Sequence, residues 1–207
     1  MFKDAANDTK EAMNEVNRLP DEVVDRDRAD ELPDEVVDRD GTDELPDEAG
    51  LGDGSLKKIY IDDNGAAYRE GDQLIPNKEY DVNGYHYQTD EKGRISQAEG
   101  QLRIKDPEYT RNMESVRYKE GQEYGERDDR GHLIGHQFGG SDRLENLVPM
   151  DAKLNQGDFK KLEDTFADAL KDGADVRLKV EPVYGGDSTR PVEFKVSYSI
   201  DGEKDVI

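Results

Sequence analysis

Two of the three histidines lie in one polar stretch, residues 128–163, among residue types that can hydrolyse a phosphate ester. His132 ends the tetrapeptide Asp-Arg-Gly-His, Asn155 belongs to Leu-Asn-Gln-Gly, and Glu163 follows Asn155 by eight positions. A neutral imidazole can take a proton from water, and an arginine such as Arg130 presents a planar fork to phosphate oxygens. Amide and carboxylate oxygens suit Mg²⁺, which uses few protein ligands and keeps several waters. The set predicts metal-assisted phosphodiester hydrolysis.

The elements that must position these residues are predicted to follow the order strand, turn, strand and helix. The first strand ends with the tetrapeptide 129–132, and a glycine pair at 139–140 marks the turn. The apolar run 144–150 is predicted to be the second strand.

A helix is predicted to follow this second strand. Asn155, Phe159 and Glu163 are spaced by four residues, so they lie along one ridge if the segment is α-helical. Gly173 is expected to end the helix. Its buried face is predicted from apolar residues three or four positions apart, namely Phe159, Leu162, Phe166 and Leu170.

These motifs together resemble those of a known enzyme family. The Asp-Arg-Gly-His tetrapeptide, Asn-Leu-Val-Pro at 146–149 and Leu-Asn-Gln-Gly at 154–157 resemble the metal site of the DNA/RNA non-specific endonucleases, in the ββα-metal (His-Me finger) superfamily. The run 176–198 resembles the C-terminal part of the family's bacterial toxin branch, and 85–102 its N-terminal hairpin. The resemblance implies an α+β fold, with a ββα-metal core on a mostly antiparallel sheet.

The resemblance also implies a role for each motif residue. His132 corresponds to the general base, and Asn155 to the direct metal ligand. Glu163 corresponds to the residue that holds a metal-bound water. Arg130 is expected to contact the phosphate or to stabilise the transition state, and Asp129 to orient its neighbours.

The family's other properties are expectations for this chain as well. Asn146 matches an asparagine near the family's active site. The implied cofactor is Mg²⁺, with Mn²⁺ as a substitute, and the implied reaction leaves a 5′-phosphate and a 3′-hydroxyl. The toxin branch implies the C-terminal effector of a secreted bacterial toxin, with DNA and/or RNA as substrate and a cognate immunity protein as partner.

Two histidines allow other interpretations. His136 follows His132 by four positions, which would suit a zinc pair on a helix. Gly135 and the glycine pair at 139–140 argue against a helix, and the chain has no cysteine to complete a zinc site. A structural or substrate-side role for His136 is therefore preferred. His86, in a Tyr-His-Tyr strand, is expected to be exposed or to pack. Glu163 could also be an ordinary solvated helix residue.

Residues 1–54 differ in composition from the rest of the chain. The sequence LPDEVVDRDRADE at 19–31 recurs as LPDEVVDRDGTDE at 32–44, and the segment carries 19 acidic against 6 basic residues. Such a dense charge with few aromatic residues predicts a disordered acidic linker. An alternative is an arm that mimics nucleic acid and screens the basic groove. A boundary is therefore predicted between the acidic segment 1–54 and a nuclease domain, 55–207.

The second segment shows the alternation typical of half-buried strands. Short strands are predicted at 59–61 and 66–69, a hairpin over 84–97, another strand at Leu102 and Ile104, and two strands after the helix, near 176–180 and 192–198. This pattern predicts an α+β domain.

Nucleic-acid contacts are expected from basic residues near the motifs. The candidates are Arg103, Arg117, Lys153 and Lys160. Segment 55–207 is nevertheless net acidic, with 32 acidic against 23 basic residues, so only local basic clusters can attract a phosphate backbone. A mixed-charge surface remains the alternative for each lysine.

The sequence shows neither a membrane-spanning segment nor a secretory signal. No apolar run reaches the length of a membrane span, and the N-terminus has no apolar signal region, so export is expected by another route or as the tail of a larger polypeptide.

Two rival functions remain open. One is a catalytically inactive module of the same fold that binds nucleic acid or a partner. The other makes the acidic repeats the functional part, as a cation-binding or spacing segment.

Overall fold

The described part of the chain contains eleven strands and one regular α-helix. The computed structural model describes residues 57–106, 108 and 122–206. In chain order the strands are β1 Ile59–Ile61, β2 Ala67–Glu70, β3 Gln73–Leu74, β4 Glu79–Val82, β5 Tyr85–Thr89, β6 Ile95–Gln101, β7 Asp128–His132, β8 Leu147–Asp151, β9 Val176–Tyr184, β10 Pro191–Ile200 and β11 Glu203–Val206.

These strands form three sheets, and every recorded pairing is antiparallel. The largest sheet has the order β11-β10-β9-β6-β5-β4, and a small sheet has the order β1-β2-β3. The third is the hairpin β7-β8. The prediction of a mostly antiparallel α+β fold is confirmed.

The hairpin β7–β8 leads into helix and forms the ββα unit. β7 pairs with β8 from Asp128 opposite Asp151 to His132 opposite Leu147. Two 3₁₀ turns lie between the strands, and a π-helical turn precedes helix α1. Their bounds are His136–Phe138 and Leu144–Asn146 for the 3₁₀ turns, Leu154–Phe159 for the π-helical turn and Lys160–Lys171 for α1.

Helix α1 packs its apolar face against the large sheet. The ring of Phe166 meets Tyr198 of β10 edge to face, with centroids 5.1 Å apart, and Phe159, at the end of the π-helical turn before α1, meets Phe194 in the same way at 5.7 Å. Such aromatic pairs add to the stability gained from buried area. The predicted apolar stripe is therefore the core contact between helix and sheet.

The end of α1 agrees with the prediction from Gly173. This residue has φ of +87°, a left-handed conformation that favours glycine. Its N–H donates to the carbonyl of Leu170, and the N–H of Ala174 donates to the carbonyl of Ala169. These two bonds form a Schellman motif, which satisfies carbonyls at the end of the helix.

The strand predicted at Leu102 and Ile104 is wrong. Leu102 is buried and its N–H donates to the carbonyl of Val176, the first residue of β9. Because β9 begins at Val176, it does not reach residues 103–106, and no strand within residues 57–106 and 122–206 pairs with them. The chain turns instead toward the hairpin, where the N–H of Lys105 donates to the carbonyl of Gln137.

The prediction of one α-helical ridge from Asn155 to Glu163 is wrong for its first turn. Leu154–Phe159 is π-helical, so its hydrogen bonds span five residues and its turn is wider than an α-helical turn. Phe159 is buried, whereas Asn155 is half-buried. Single π-helical turns often occur at functional sites.

A buried ion pair ties the hairpin to the large sheet. Arg190, just before β10, donates from Nε and Nη2 to the two carboxylate oxygens of Asp128, at 2.6 and 2.9 Å. The N–H of Gly125 donates to the same carboxylate at 2.8 Å. These charge-assisted bonds raise the pKa of Arg190 above its usual value. The pair therefore positions the first residue of β7.

Some of the predictions fall outside the described residues. They include the acidic repeats and the disorder predicted for 1–54, the domain boundary near residue 55, and Arg117. Within the described residues, no helix is both long and apolar enough to cross a membrane.

Candidate active site

His132 is the last residue of β7, and close pairing with β8 positions it. The preceding Gly131 lies against Met150 of β8. A Cβ atom added at Gly131 would lie 2.8 Å from the Cβ of Met150, closer than real contacts. The glycine of the Asp-Arg-Gly-His tetrapeptide is therefore needed so that the strands can pair at this distance.

A single buried carboxylate joins His132 to His136. Oδ1 of Asp142 lies 2.8 Å from Nε2 of His132 and 2.9 Å from Nδ1 of His136. The Asp142 side chain is 1% exposed. An ionised carboxylate only accepts hydrogen bonds, so both ring nitrogens must donate to it. Asp142 therefore sets the tautomer of each imidazole.

The tautomers have direct consequences for both rings. With Asp142 ionised, the His132 proton lies on Nε2, and Nδ1 is the ring nitrogen without a proton. In His136 the proton lies on Nδ1, and Nε2 accepts a hydrogen bond from Nζ of Lys105 at 2.6 Å. The result is a chain of hydrogen bonds from Lys105 through His136 and Asp142 to His132. His132 can act as a base, and Asp142 can stabilise the imidazolium that then forms.

Sequence reasoning missed Asp142 and the part played by Lys105. Asp142 follows Gly-Gly-Ser in a loop, ten positions after His132. No periodicity marks it, because the loop between His132 and β8 is irregular. The contacts of His136 with Asp142 and Lys105 are not visible in the sequence, where a structural or substrate-side role for His136 is preferred. The expected absence of a helix at His132–His136 is confirmed, since His132 is in a strand and His136 begins a 3₁₀ turn.

Asn146 holds the loop that carries these residues. Its side chain is fully buried, accepts from the N–H of Ile134 at 2.9 Å, and donates to the carbonyls of Ile134 and Ser141. A Cβ atom added at Gly140 would lie 1.9 Å from the carbonyl oxygen of Ile134. The asparagine and the glycine together let the loop fold tightly back on itself.

Asp129 orients the two amides at the start of the helix. Its Oδ2 accepts from Nδ2 of Asn155 at 3.0 Å and from Nε2 of Gln156 at 2.7 Å. Because the amide nitrogen of Asn155 is used in this way, its carbonyl Oδ1 is the atom that can bind a cation. Oxygen ligands of this kind suit Mg²⁺.

Glu163 lies about two helical turns after Asn155, against the histidine loop. A Cβ atom added at Gly135 would lie 2.3 Å from Oε1 of Glu163, so the carboxylate rests on the glycine backbone. Nε2 of Gln137 donates to Oε2 of Glu163 at 3.2 Å. Burial raises the pKa of Glu163 from 4.5 to about 7, although Lys160 and Gln137 act in the opposite direction. A carboxylate with this pKa is typical of a functional site.

The basic candidates differ in exposure. Arg130 is half-buried in β7, with its guanidinium Nε and Nη2 inside the protein. Arg103 is exposed, donates to the carbonyl of Asn83 and stacks over the ring of Tyr85. Lys153 and Lys160 are also exposed and lie at the start of the helical segment, with Lys160 bonded to Asp164.

Contacts among the described residues therefore gather the predicted site residues into three groups. His132 is bonded to Asp142, Asn155 to Asp129, and Glu163 to Gln137. The hairpin β7–β8 and its loop carry a member of every group. The site offers a base, oxygen donors for a hard cation and a half-buried carboxylate with a raised pKa.

The chain is similar in sequence to several known proteins. Residues 76–202 match the family model of the DNA/RNA non-specific endonucleases. EssD, a type VII secretion system protein of Staphylococcus aureus (strain USA300), is 37% identical over 142 residues, which cover 65% of this chain and 23% of EssD. The probable deoxyribonuclease RhsA of Dickeya dadantii (strain 3937) is 29% identical over 77 residues, 37% of this chain and 5% of RhsA.

A solved structure also aligns with the chain. The crystal structure of NucA from Streptococcus agalactiae with magnesium ion bound covers 74% of this chain and 81% of NucA, with 18% identity and a TM-score of 0.47. The chain spans less than a quarter of the length of EssD. The family model, in contrast, covers more than half of the chain, and the chain therefore belongs to the DNA/RNA non-specific endonuclease family.

Proposed function

We propose that the chain is a Mg²⁺-dependent endonuclease that hydrolyses phosphodiester bonds of DNA and/or RNA, with His132 as the general base. The observation that carries the proposal is the bond from Nε2 of His132 to Asp142. An ionised Asp142 holds the ring proton on Nε2, and its negative charge stabilises the imidazolium that forms when the ring takes up a second proton. The family match supports the reaction type.

The donor atoms at the start of the helix fit a hard cation. Oδ1 of Asn155 is a neutral oxygen held in place through Asp129, and Glu163 can hold a cation-bound water through its carboxylate. A bound Mg²⁺ would neutralise charge on the scissile phosphate and orient it. Mn²⁺ has similar preferences for oxygen ligands and is expected to substitute.

The chain's own residues supply the remaining chemistry. Nδ1 of His132 takes a proton from a water molecule whose oxygen attacks phosphorus. The bond between phosphorus and the 3′ oxygen breaks, and that oxygen takes a proton from solvent, which leaves a 3′-hydroxyl and a 5′-phosphate. Arg130 supplies a positive charge for the phosphate oxygens as the transition state forms. Arg103, Lys153 and Lys160 are proposed to contact the backbone of the nucleic acid.

The biological setting is proposed from the similarity to EssD. We infer that the chain is the C-terminal effector of a larger exported toxin, because the named relative is a protein of a type VII secretion system and the similarity covers 23% of it. A toxin of this kind requires a cognate immunity protein in the producing cell. Production of the wild-type chain in a bacterial cytoplasm is therefore expected to arrest growth, whereas H132A is expected to be tolerated.

The test is digestion of plasmid DNA and of total RNA by the full chain, with Mg²⁺ or with EDTA. The variants are H132A and a matched control, H86A. His86 also pairs with an aspartate, Asp81, at 2.8 Å, but it lies in β5, in the large sheet. We expect Mg²⁺-dependent cutting that H132A loses by about 10²–10⁴-fold, the range of general-base catalysis, and that H86A retains.

Two outcomes would contradict the proposal. Cutting that survives in H132A would overturn the assignment of the base while keeping the enzyme. Failure of the folded wild-type chain to cut either substrate would favour an inactive module that only binds nucleic acid or a partner.

A further inference from the structure

We propose that His132, His136 and Asp142 form a second metal site that binds Zn²⁺, and that zinc bound there switches off cleavage. The three side chains each offer a ligand atom, and these atoms all lie within 4.8 Å of one another. The site is distinct from the Mg²⁺ site proposed at Asn155 and Glu163. Its inhibitory effect, although not its existence, depends on the proposed role of His132 as the base.

The donor set selects the kind of metal. Two imidazole nitrogens and one carboxylate oxygen suit zinc and similar transition ions, whereas Mg²⁺ prefers oxygen ligands alone. Zinc in proteins is held by three such side chains when a fourth position stays open to water. The site at His132, His136 and Asp142 is therefore expected to prefer a different metal from the site proposed at Asn155.

Two of the three distances between the ligand atoms are close to those of a formed zinc site. Zn–N and Zn–O bonds of about 2.0–2.1 Å at tetrahedral angles place ligand atoms about 3.3 Å apart. Oδ1 of Asp142 already lies 2.8 and 2.9 Å from the two ring nitrogens. Zinc would take the place of the two protons that now occupy these hydrogen bonds, and the two ring nitrogens, which lie within 4.8 Å of each other, would adjust to the tetrahedral spacing.

The position of the His132 ring proton explains why bound zinc would inhibit cleavage. When zinc binds Nε2 of His132, the proton of that neutral ring must move to Nδ1. Nδ1 is the proposed acceptor for the proton of the attacking water, so the zinc-bound ring cannot act as the base. Excess Mg²⁺ is not expected to reverse the effect, because its proposed ligands are different atoms.

Lys105 is expected to oppose zinc binding, so its replacement should raise zinc affinity, whereas replacement of a ligand should lower it. Its Nζ now donates to Nε2 of His136 at 2.6 Å. When zinc takes Nδ1 of His136, the proton moves to Nε2, so two donors face each other and the ammonium lies near the metal. Removal of the Lys105 charge is therefore expected to strengthen zinc binding.

The experiment measures Zn²⁺ affinity of the full chain, by competition with a fluorescent zinc chelator in the absence of Mg²⁺. We expect H136A and D142N to weaken the tightest site by at least the 10–100-fold typical of losses around a metal centre. K105M is expected to tighten it by about tenfold, since second-shell changes alter affinity on this scale. H86A is the matched control and is expected to bind as the wild type does. Thermal melts of each variant confirm folding.

Two results would overturn the inference. Unchanged zinc affinity in both H136A and D142N would show that these residues do not form a zinc site. The K105M variant guards against a false loss, because unfolding cannot produce a gain in zinc affinity. Zinc that binds at these residues but leaves cleavage in excess Mg²⁺ unaffected would remove the inhibitory role. If the metal-free chain with Mg²⁺ alone cuts nothing, the proposed function fails, whereas the affinity measurements still decide whether the site exists.

Discussion

The histidine loop, residues 132–142, and the helix start, residues 154–163, use the same device with different chemistry. In each an aspartate fixes the orientation of a side chain proposed to act in catalysis. Asp142 accepts from two imidazoles that can become charged, and its side chain is 1% exposed. Asp129 is half-buried and accepts from two amides that stay neutral.

The difference shows that a group which becomes positively charged needs a negative charge beside it, whereas a group which stays neutral needs only a hydrogen-bond acceptor. An imidazole that takes up a proton gains a positive charge, and a buried carboxylate beside it stabilises that charge strongly because little water screens it. An amide gains no charge during the reaction. Asp129 therefore needs only to hold Asn155 in one orientation, and the two aspartates should respond differently to neutral replacement.

The largest effect is expected for Asp142→Asn. The asparagine keeps the shape of the side chain but removes the charge, and its amide can hold His132 in the wrong tautomer. We expect kcat/KM to fall by about 10²-fold or more, within the range that general-base catalysis contributes. Steady-state cleavage of a short duplex in Mg²⁺ measures the loss.

Asp81→Asn provides the matched control for this change. Asp81 also bonds a histidine at 2.8 Å, but its side chain is 42% exposed. Exposed pairs of this kind contribute little, so the control is expected to cleave at nearly the wild-type rate. Equal losses in both variants would show that the charge at Asp142 has no special role.

A smaller effect is expected at Asp129, where the type of replacement matters more than the charge. Asp129→Asn keeps an acceptor for Asn155 and is expected to change the Mg²⁺ requirement little. Asp129→Ala removes the acceptor, and we expect the Mg²⁺ concentration for half-maximal rate to rise by about tenfold. Titration of the cleavage rate with Mg²⁺ measures both. If Asp129→Asn is as damaging as Asp142→Asn, the contrast between the two aspartates is wrong.

Glu163, a half-buried carboxylate that contacts the histidine loop, should make the stability of the fold depend on pH. Burial raises the pKa of Glu163 from 4.5 to about 7, so its neutral form is favoured in the fold. The stability from this preference is complete at low pH and is lost as the pH rises through about 7. Glu163→Gln stays neutral at every pH. In metal-free buffer it should become more stable than the wild type as the pH rises, by up to about 3 kcal/mol at pH near 8.

Urea unfolding of both proteins at several pH values measures this difference. Glu193→Gln, at an exposed position of β10, is the control and should show no such trend. A difference between Glu163→Gln and the wild type that does not change with pH would mean that Glu163 ionises as it does in the unfolded chain.

The smallest effect is expected for Gly157→Ala in the π-helical turn. A Cβ atom added at Gly157 meets nothing within 4 Å, and alanine is favoured over glycine in helices. We expect stability to increase by about 0.5–1 kcal/mol with no change in cleavage. Gly135→Ala is the contrast in the histidine loop, since its Cβ would displace the Glu163 carboxylate. Thermal melts and cleavage rates of both variants test whether the loop tolerates less change than the helix start.

Much of the fold could be predicted because it follows local patterns. The alternation near Val176 and Val192, the apolar spacing of α1 and the stop at Gly173 each depend on a few adjacent residues. The strand expected at Leu102 failed for a non-local reason, since its would-be partner β9 begins only at Val176. The order strand, turn, strand and helix was recognisable because its motifs are contiguous in the sequence.

The site was predictable only in part. His132, Asn155 and Glu163 stand in short motifs, whereas Asp142 lies in an irregular loop and reaches the histidines through the fold of that loop. Asn146 and Gly140 shape the loop by hydrogen bonds and by close approach, and neither leaves a periodic signal. The π-helical turn was missed because a spacing of four suits an ordinary helix equally well.

The wide turn at Leu154–Phe159 also decides where the length of this segment can change. Its hydrogen bonds span five residues, so the turn holds one residue more than an α-helical turn does. If one residue were deleted between Asn155 and Phe159, the segment could close as an ordinary α-helical turn and Asn155 would keep nearly the same direction relative to Glu163. Each residue of an α-helix turns the chain by about 100°, so a residue inserted into α1 before Glu163 would rotate Asn155 by about that angle relative to Glu163. The direction of the proposed metal ligand should therefore tolerate a deletion in the π-helical turn better than an insertion in the regular helix.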